Sequence, residues 1–138
     1  MKVTIVIPNY NGKHFMEPCL SSLSEQTYKN FHILVVDNAS SDGSIEYMEE
    51  NYPDIELIKL QKNFGFSKAV NIGIQHSRTP YVILLNNDTT VDTRYVEEMV
   101  KAIENGRGEG LSIVMRYSII WKKIKLYLVR MGGKIDKR

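Results

Sequence analysis

Short apolar runs alternate with segments of helical periodicity along the first 105 residues of the chain. The apolar runs are rich in β-branched residues, as buried strands are, and the predicted strands are 3–7, 32–36, 55–60 and 81–85. The intervening segments place apolar residues three or four positions apart, and the predicted helices are 15–23, 45–51, 66–75 and 92–105. This alternation predicts an α/β fold, in which helices cover a mostly parallel sheet.

The residues that directly follow each predicted strand are short and polar, and most of them are Asn or Asp. These loops are 8–12 (PNYNG), 37–43 (DNASSDG), 63–66 (NFGF) and 86–89 (NNDT). All four would lie at the rim of the sheet, meaning the edge formed by the carboxyl ends of its parallel strands, where ligands of open sheets bind. Each loop alone is also explained as an ordinary turn, because Asn, Asp, Ser and Gly are the common turn residues. Together the four loops predict a binding crevice at the rim.

Two carboxylates at these strand ends suggest specific chemistry. Asp37 closes an apolar strand, where its carboxylate is able to accept hydrogen bonds from the N–H of a pyrimidine base or from ribose hydroxyls. Asp88 follows another strand, where a divalent cation could bridge the carboxylate and a diphosphate, with Asn86 contributing an amide oxygen or acting through water. The alternative for both residues is local: Asp37 caps the following turn, and Asp88 belongs to a turn that ends its strand.

The chain carries neither of the common glycine-rich phosphate loops. Neither G-x-G-x-x-G nor G-x-x-x-x-G-K-[ST] occurs, which excludes the dinucleotide fingerprint and the P-loop. Asn63 and Gly65 instead open a predicted helix, whose first backbone N–H groups could bind phosphate oxygens.

Taken together, these loops resemble the family 2 glycosyltransferases of the GT-A fold, and most of all their rhamnosyltransferase-like branch. The matching segments are 6–12 (VIPNYNG), 35–44 (VVDNASSDGS), 63–73 (NFGFSKAVNIG) and 84–88 (LLNND). They occur in the order and at the spacing of that family and cover about residues 1–105. No segment is specific alone, but the set is. The resemblance implies a GT-A, Rossmann-like sheet with a nucleotide-sugar site at its rim.

The resemblance also implies roles for individual residues. Pro8, Asn9 and Tyr10 would line the nucleoside pocket, and Asp37 would contact the base. Those expected beside the ribose and diphosphate are Asn63, Gly65 and Asn71. Asn86, Asn87 and Asp88 would stand where the family has its Asp-x-Asp metal motif. Because Asn86 replaces the first Asp, Asp88 is the main expected metal ligand.

The reaction implied by the resemblance is transfer of a sugar from a UDP- or dTDP-linked donor to a hydroxyl of a carbohydrate or lipid-linked acceptor, as in polysaccharide biosynthesis. Inversion at the sugar is expected, with no nucleic acid as partner. Mg²⁺ or Mn²⁺ would offset the charge that develops on the leaving diphosphate. The general base of that family comes from the half beyond the metal motif. Past residue 106 the only acidic residues are Glu109 and Asp136, and neither lies in a recognisable base motif.

Charge divides the chain into an acidic body and a basic tail. Residues 1–106 contain 9 Lys and Arg against 14 Asp and Glu, a net charge of −5, whereas residues 107–138 contain 9 against 2, a net charge of +7. This asymmetry predicts a separate C-terminal segment that meets an anionic partner. Apolar residues at helical spacing predict an amphipathic helix over 117–131, which would lie on a membrane surface or pack on the sheet or a second subunit.

The end of the chain leads to two further expectations. Residues 111–114 are a candidate fifth strand, and 132–136 look like a segment that many relatives carry well before their C-terminus. The chain is therefore expected to be truncated and to lack the part that holds the acceptor.

The cysteine content and the first residues of the chain bear on the cellular compartment and not on the function. Cys19 is the only cysteine, which excludes an internal disulfide and a cysteine-based zinc site and is compatible with a reducing cytoplasm. The first residues do not form a signal peptide, because their apolar run is short and Pro8 follows at once. The expected location is cytoplasmic, or peripheral at the inner membrane face.

Three functional hypotheses follow from the sequence. The first is a sugar transferase, and the second is a nucleotide-sugar-binding module without turnover. The third is a receiver-type signalling domain, which is also α/β with acidic strand ends. The Asn-rich loops and Asn63-Phe64-Gly65 argue against the third.

Overall fold

The computed structural model describes residues 1–105 in full and the backbone of residues 114–119 and 122–130. The four parallel strands are β1 (Val3–Asn9), β2 (Phe31–Asp37), β3 (Glu56–Lys59) and β4 (Tyr81–Leu84). The helices that alternate with them are α1 (Lys13–Ser24), α2 (Ser44–Asn51), α3 (Phe66–His76) and α4 (Tyr95–Asn105). The predicted order and the α/β class are confirmed. Within the described part of the chain, no helix has the length and apolar content needed to span a membrane.

The sheet has the strand order β3-β2-β1-β4-β6-β5, in which β5 is Val114–Ile119 and β6 is Lys122–Arg130. β2 and β3 are added on one side of β1, and β4 is added on the other. The chain therefore adds strands first on one side of β1 and then on the other, and the carboxyl ends of β1 and β4 flank the point at which this order reverses, the topological switch point. Open α/β sheets bind their ligands at such a point.

Helices cover both faces of the central strands, and this explains why β1 is buried along its whole length. Successive side chains of a strand point to opposite faces, so Ile5 and Ile7 pack into one apolar layer and Val6 into the other. The first layer contains buried residues of α1, α2 and α4, and the second contains those of α3. Gly73 allows α3 to approach the sheet closely, because a Cβ at this position would lie 2.4 Å from Cγ1 of Val6.

Two histidines and one carboxylate join β2, β3 and α3 on the surface of the fold. Nε2 of His32 lies 2.6 Å from one oxygen of Glu56, and Nε2 of His76 lies 2.7 Å from the other. The hydrogen bond with His32, followed by that with His76, lowers the pKa of Glu56. The three side chains are each about one third to one half exposed, so these two hydrogen bonds are surface interactions.

The predicted amphipathic helix over 117–131 is wrong, because β5 and β6 occupy most of this range. β6 pairs antiparallel with β4, and β5 pairs antiparallel with β6. Without β6, β4 would expose a row of unpaired backbone N–H and C=O groups, which a neighbouring strand satisfies and a helix does not. The segment is also rich in β-branched and aromatic residues, which favour strands.

Several other predictions about the tail fall on residues that the structure does not describe. β5 begins at Val114, whereas residues 111–113 of the predicted fifth strand lie outside the described residues. The same holds for 132–136, Glu109 and Asp136. The division of the chain at residue 106 stays a prediction.

Candidate functional site

The ends of β1 and β2 are joined by a buried hydrogen-bonded cluster. Nδ2 of Asn9 donates to Oδ2 of Asp37 over 2.7 Å, and both side chains are almost fully buried. Asp37 also accepts from the backbone N–H and the hydroxyl of Ser40, both at 2.8 Å. The capping role considered for Asp37 is therefore present, and its carboxylate is committed to three internal hydrogen bonds.

Asn87 extends this cluster to the loop after β4. Its Nδ2 donates to Oδ1 of Asn9 over 2.7 Å, although the two residues are 78 positions apart in sequence. A chain of side chains thus runs from Asp37 through Asn9 to Asn87 and connects three strand ends. Gly12 lies directly over this chain, because a Cβ there would be 2.1 Å from Nδ2 of Asn87 and 2.6 Å from Oδ1 of Asn9.

A second set of hydrogen bonds joins the loops after β2 and β3. Nδ2 of Asn38 donates to Oδ1 of Asn63 over 2.9 Å, and Oδ1 of Asn38 accepts from the N–H of Phe64. Oδ1 of Asn63 also accepts from the N–H of Gly65, where α3 begins. Sequence reasoning missed Asn38, although its place directly after Asp37 at the end of an apolar strand was a usable signal.

The loop after β1 crosses to the loop after β2 through Asn11 and Ser40. The hydroxyl of Ser40 accepts from the N–H of Asn11 over 2.9 Å, and Oδ1 of Asn11 accepts from the N–H of Ser41. Asn11 has φ 50° and Ala39 has φ 63°. The left-handed region costs little for Asn but about 1–2 kcal/mol for Ala. The strained residue lies between Asp37 and Ser40, whose hydrogen bonds hold the turn in this conformation.

The four loops 8–12, 37–43, 63–66 and 86–89 therefore meet at one edge of the sheet, and we call them the rim site. Within it the predicted nucleoside-binding residues differ in accessibility. Pro8 and Asn9 are buried, whereas Tyr10 is 52% exposed, which is unusual for a large aromatic side chain. Asn63 and Gly65 are exposed. The ring of Tyr10 is therefore accessible at the surface of the rim site, while Asn9 and Asp37 lie beneath.

Asp88 faces solvent at the end of the β4 loop, and no hydrogen bond or ion pair engages its carboxylate among the described residues. The backbone turn is closed by the N–H of Thr89, which donates to the carbonyl of Asn86 over 3.2 Å. Cys19 of α1 packs beneath, with Sγ 3.9 Å from the same carbonyl oxygen. Burial, followed by the negative charge of Asp88, raises the pKa of Cys19 to about 12.

The side chains at this turn provide few protein ligands, so they suit a cation that is coordinated mainly by a bound diphosphate and water. Asp88 is a free carboxylate, while the amide of Asn87 is engaged with Asn9. In the described part of the chain, no group of three or more His, Cys, Asp or Glu side chains could hold a metal. Mg²⁺ and Mn²⁺ fit such a site when a diphosphate and water complete the coordination shell, because Mg²⁺ often uses only one or two protein carboxylates.

Asn71 lies apart from the hydrogen-bonded rim site. It is exposed on α3 and lines an open, mainly apolar cavity of about 310 Å³ between α3 and β4. The other lining residues are Phe66, Ser67, Val70, Ile74, Val82 and Leu84. The structure thus brings together nine of the ten predicted site residues in the four loops and places Asn71 on the neighbouring helix.

The sequence matches known proteins over most of its length. The family model described as glycosyl transferase family 2 matches residues 4–132. Glycosyltransferase GlyA of Streptococcus pneumoniae is 36% identical over 104 residues, which cover 74% of this chain and 15% of GlyA. The glycosyltransferase YibD of Escherichia coli is 35% identical over 108 residues, which cover 75% of this chain and 31% of YibD.

Solved structures share the fold. TarS 1–349 of S. aureus, in complex with UDP, has a TM-score of 0.69 at 20% identity, covering 92% of this chain and 46% of TarS 1–349. The mannosyltransferase PcManGT of Pyrobaculum calidifontis, in complex with GDP-Man and Mn²⁺, has a TM-score of 0.68 at 24% identity, covering 80% of this chain and 34% of PcManGT. The chain spans less than half the length of each of these four proteins.

Proposed function

Because this chain belongs to glycosyl transferase family 2, we propose that its rim site binds a UDP- or dTDP-linked sugar and transfers the sugar, with inversion, to an acceptor hydroxyl. The acceptor in this proposal is a carbohydrate or a lipid-linked sugar. The observation that carries the proposal is the convergence of four polar strand ends at the switch point between β1 and β4. Family membership excludes the receiver-type hypothesis.

The nucleoside would bind against the exposed ring of Tyr10. Aromatic rings stack on nucleobases, and such stacking contributes about 1–3 kcal/mol per base in proteins that bind single-stranded nucleic acid. Asp37 would act from beneath, by fixing Asn9 and Ser40, since all three of its hydrogen bonds are internal. A direct bond between Asp37 and the base would require the Ser40 hydroxyl to move away.

The diphosphate would lie between the start of α3 and Asp88. The first turn of α3 has no side-chain cap, so its backbone N–H groups are free to bind phosphate oxygens beside Asn63 and Gly65. Asp88 would hold Mg²⁺ or Mn²⁺ on the other side, with Asn86 close by. A bound cation would offset the charge that develops on the leaving diphosphate. The complex of PcManGT with GDP-Man and Mn²⁺ supports the use of a divalent ion.

A second candidate function is binding of a nucleotide sugar without turnover. The observation that favours it is the donor set of the turn 86–89, in which Asp88 is the one carboxylate, so a single protein carboxylate would hold the cation that offsets the charge of a leaving diphosphate. Binding and transfer are therefore separate proposals that one set of assays distinguishes. Transfer or hydrolysis of UDP- or dTDP-sugars in the presence of Mn²⁺ would establish the first function, and binding without release of free nucleotide would establish the second.

Isothermal titration of UDP, dTDP and GDP, each with and without Mn²⁺, tests the binding step. We expect binding of one nucleotide that Mn²⁺ tightens, and Asp88→Ala should abolish the tightening while retaining the metal-free affinity. Asp54→Ala is the matched control, because it removes an exposed carboxylate from the turn before β3, at the opposite edge of the sheet. Absence of binding to every nucleotide would refute the proposed function, and persistent tightening in Asp88→Ala would refute the metal role.

We also propose that the chain belongs to the rhamnosyltransferase-like branch of the family, because its four loops have the pattern of that branch. A cytoplasmic location is supported by the single, buried and unpaired Cys19. Contact of the 117–131 segment with a membrane surface or a second subunit now rests on its positive charge alone, since the predicted helix is absent. Co-sedimentation with anionic vesicles at low and high salt would test the membrane contact.

A further inference from the structure

We infer that the hydrogen bond from Asn87 to Asn9 positions the Asp88 carboxylate for a nucleotide-bound cation, so that Asn9 is a positioning residue. This inference rests on the proposed function of the rim site. It assigns to Asn9 a role different from lining the nucleoside pocket, since Asn9 is only 2% exposed and its amide contacts Asp37, Ser40 and Asn87. It also explains why the middle residue of the turn is an amide.

The donors and acceptors of Asp37 and Asn87 determine which amide atom of Asn9 faces each of these two side chains. An ionised carboxylate only accepts hydrogen bonds, so the NH₂ of Asn9 must face Asp37. The carbonyl oxygen of Asn9 must then face Asn87, which donates to it. A primary amide provides a donor and an acceptor in one side chain, and hydrophobic residues of similar size provide neither.

The same bond fixes the turn that carries Asp88. Asn87 is half-buried and points toward Asn9, whereas the next residue, Asp88, is exposed and has no partner among the described residues. The carbonyl of Asn86 is held from two sides, by the N–H of Thr89 and by the thiol of Cys19. The hydrogen bond of Asn87 therefore fixes this short turn from inside, and Asp88 is the residue that the turn exposes to solvent.

Gly12 offers a way to break this bond without substituting either partner. Its φ is −114°, which any residue adopts, so alanine brings no backbone strain. A Cβ at this position would lie 2.1 Å from Nδ2 of Asn87 and 2.6 Å from Oδ1 of Asn9. Asn9 is buried and held by Asp37, so the half-buried Asn87 amide has to move aside. Gly12→Ala should thus release the turn while the fold persists.

The experiment is isothermal titration of UDP or dTDP, whichever the wild type binds, with and without Mn²⁺. The measured quantity is the ratio of the two dissociation constants. Gly12→Ala and Asn87→Ala should each reduce this ratio, and thus the Mn²⁺-dependent tightening, about tenfold. If both changes act on one bond, the double variant should lose no more tightening than either single variant.

The control variant is Asn51→Ala, which removes one side-chain amide hydrogen bond from the end of α2, to the carbonyl of Tyr47. It should leave both dissociation constants unchanged. The inference is overturned if Gly12→Ala retains the full tightening, if the two single effects add in the double variant, or if metal-free and metal-bound affinities fall together. Should the wild type bind no nucleotide at all, the proposed function fails as well, and this result is distinct from the other three.

Discussion

Asp37→Asn tests the series of hydrogen bonds from Asp37 through Asn9 to Asn87 more severely than truncation of any of these side chains. The substitution keeps the shape of the side chain but replaces one acceptor oxygen by a donor NH₂. Oδ1 of Asp37 accepts from the backbone N–H of Ser40, so the new oxygen has to stay on that side. The new NH₂ then replaces Oδ2 and faces Nδ2 of Asn9, at the 2.7 Å separation of the present bond. With Asn9 in its present orientation, two donors meet. If Asn9 reverses, its NH₂ loses the hydroxyl of Ser40, to which it also donates over 3.3 Å, and faces Nδ2 of Asn87 instead.

The size of the effect follows from burial. Asn9 is 2% exposed, so water does not replace the lost acceptor. A buried donor left without its partner costs about 1–3 kcal/mol, which is a substantial part of the roughly 5–15 kcal/mol by which domains of this kind are stable. Urea unfolding of Asp37→Asn should therefore show a lower midpoint at an unchanged m-value, because the surface exposed on unfolding is the same.

A double-mutant cycle of Asp37→Asn with Asn87→Ala shows whether the clash of two donors at residue 37 is transmitted through Asn9 to Asn87. Asn87→Ala removes the last amide, so that Asn9 is free to reverse and to accept from the new NH₂ at residue 37. The double variant should then be more stable than the sum of the two single effects predicts, by about 0.5–3 kcal/mol. Additivity within about 0.5 kcal/mol would refute the reasoning, because it would mean that residues 37 and 87 do not communicate through Asn9.

Four further predictions concern other parts of the fold. Tyr10→Ala should weaken nucleotide binding by about 1–3 kcal/mol, whereas Tyr10→Phe, which keeps the ring, should not, as measured by titration. Gly73→Ala should lower the urea midpoint, because overpacking against Val6 costs about 1–3 kcal/mol and the helix gains only about 1 kcal/mol; a raised midpoint would contradict the close packing. Glu56→Gln should destabilise at pH 6–7 by about 1 kcal/mol or less, and the difference should shrink in acid. The pKa of Glu56 is lowered in the folded state, so its contribution is present above about pH 4.3 and is lost as the pH falls through the folded value; a constant difference from pH 7 to pH 3 would rule this out. Cys19, whose pKa is raised to about 12, should react with a thiol reagent at pH 8 only as fast as the fold opens, and rapid labelling of the native protein would contradict its burial.

The order of elements and the convergence of the four polar loops could be predicted from the sequence, because both depend on local signals. The strand over residues 3–7 is apolar at consecutive positions, and Pro8 and Asn9 mark its end. In a parallel sheet all such ends share one edge, so the convergence of the loops after β1 and β2 follows from topology. The structure confirms this convergence through the hydrogen bond between Asn9 and Asp37.

Two features could not be predicted, for different reasons. The range 117–131 has apolar residues at helical spacing, but its β-branched and aromatic content favours a strand as well, and the outcome depends on the unpaired edge of β4. The inward direction of Asn87 depends on contact with Asn9, 78 residues away. Spacing along the sequence carries no information about such a contact, so the sequence places Asn87 beside Asp88, the main expected metal ligand, without showing that its side chain turns inward.

The rim site draws on four successive strand–loop units, and this has a consequence for when it forms. Chain synthesis completes β1 and β2 early, so Asn9 and Asp37 are able to meet before β4 exists, but Asn87 arrives only when β4 docks beside β1. Nucleotide affinity should therefore emerge in one late, cooperative step. Slowed amide hydrogen exchange in both β1 and β4 on ligand addition would be its signature, since a ligand that spans these strands opposes their separation.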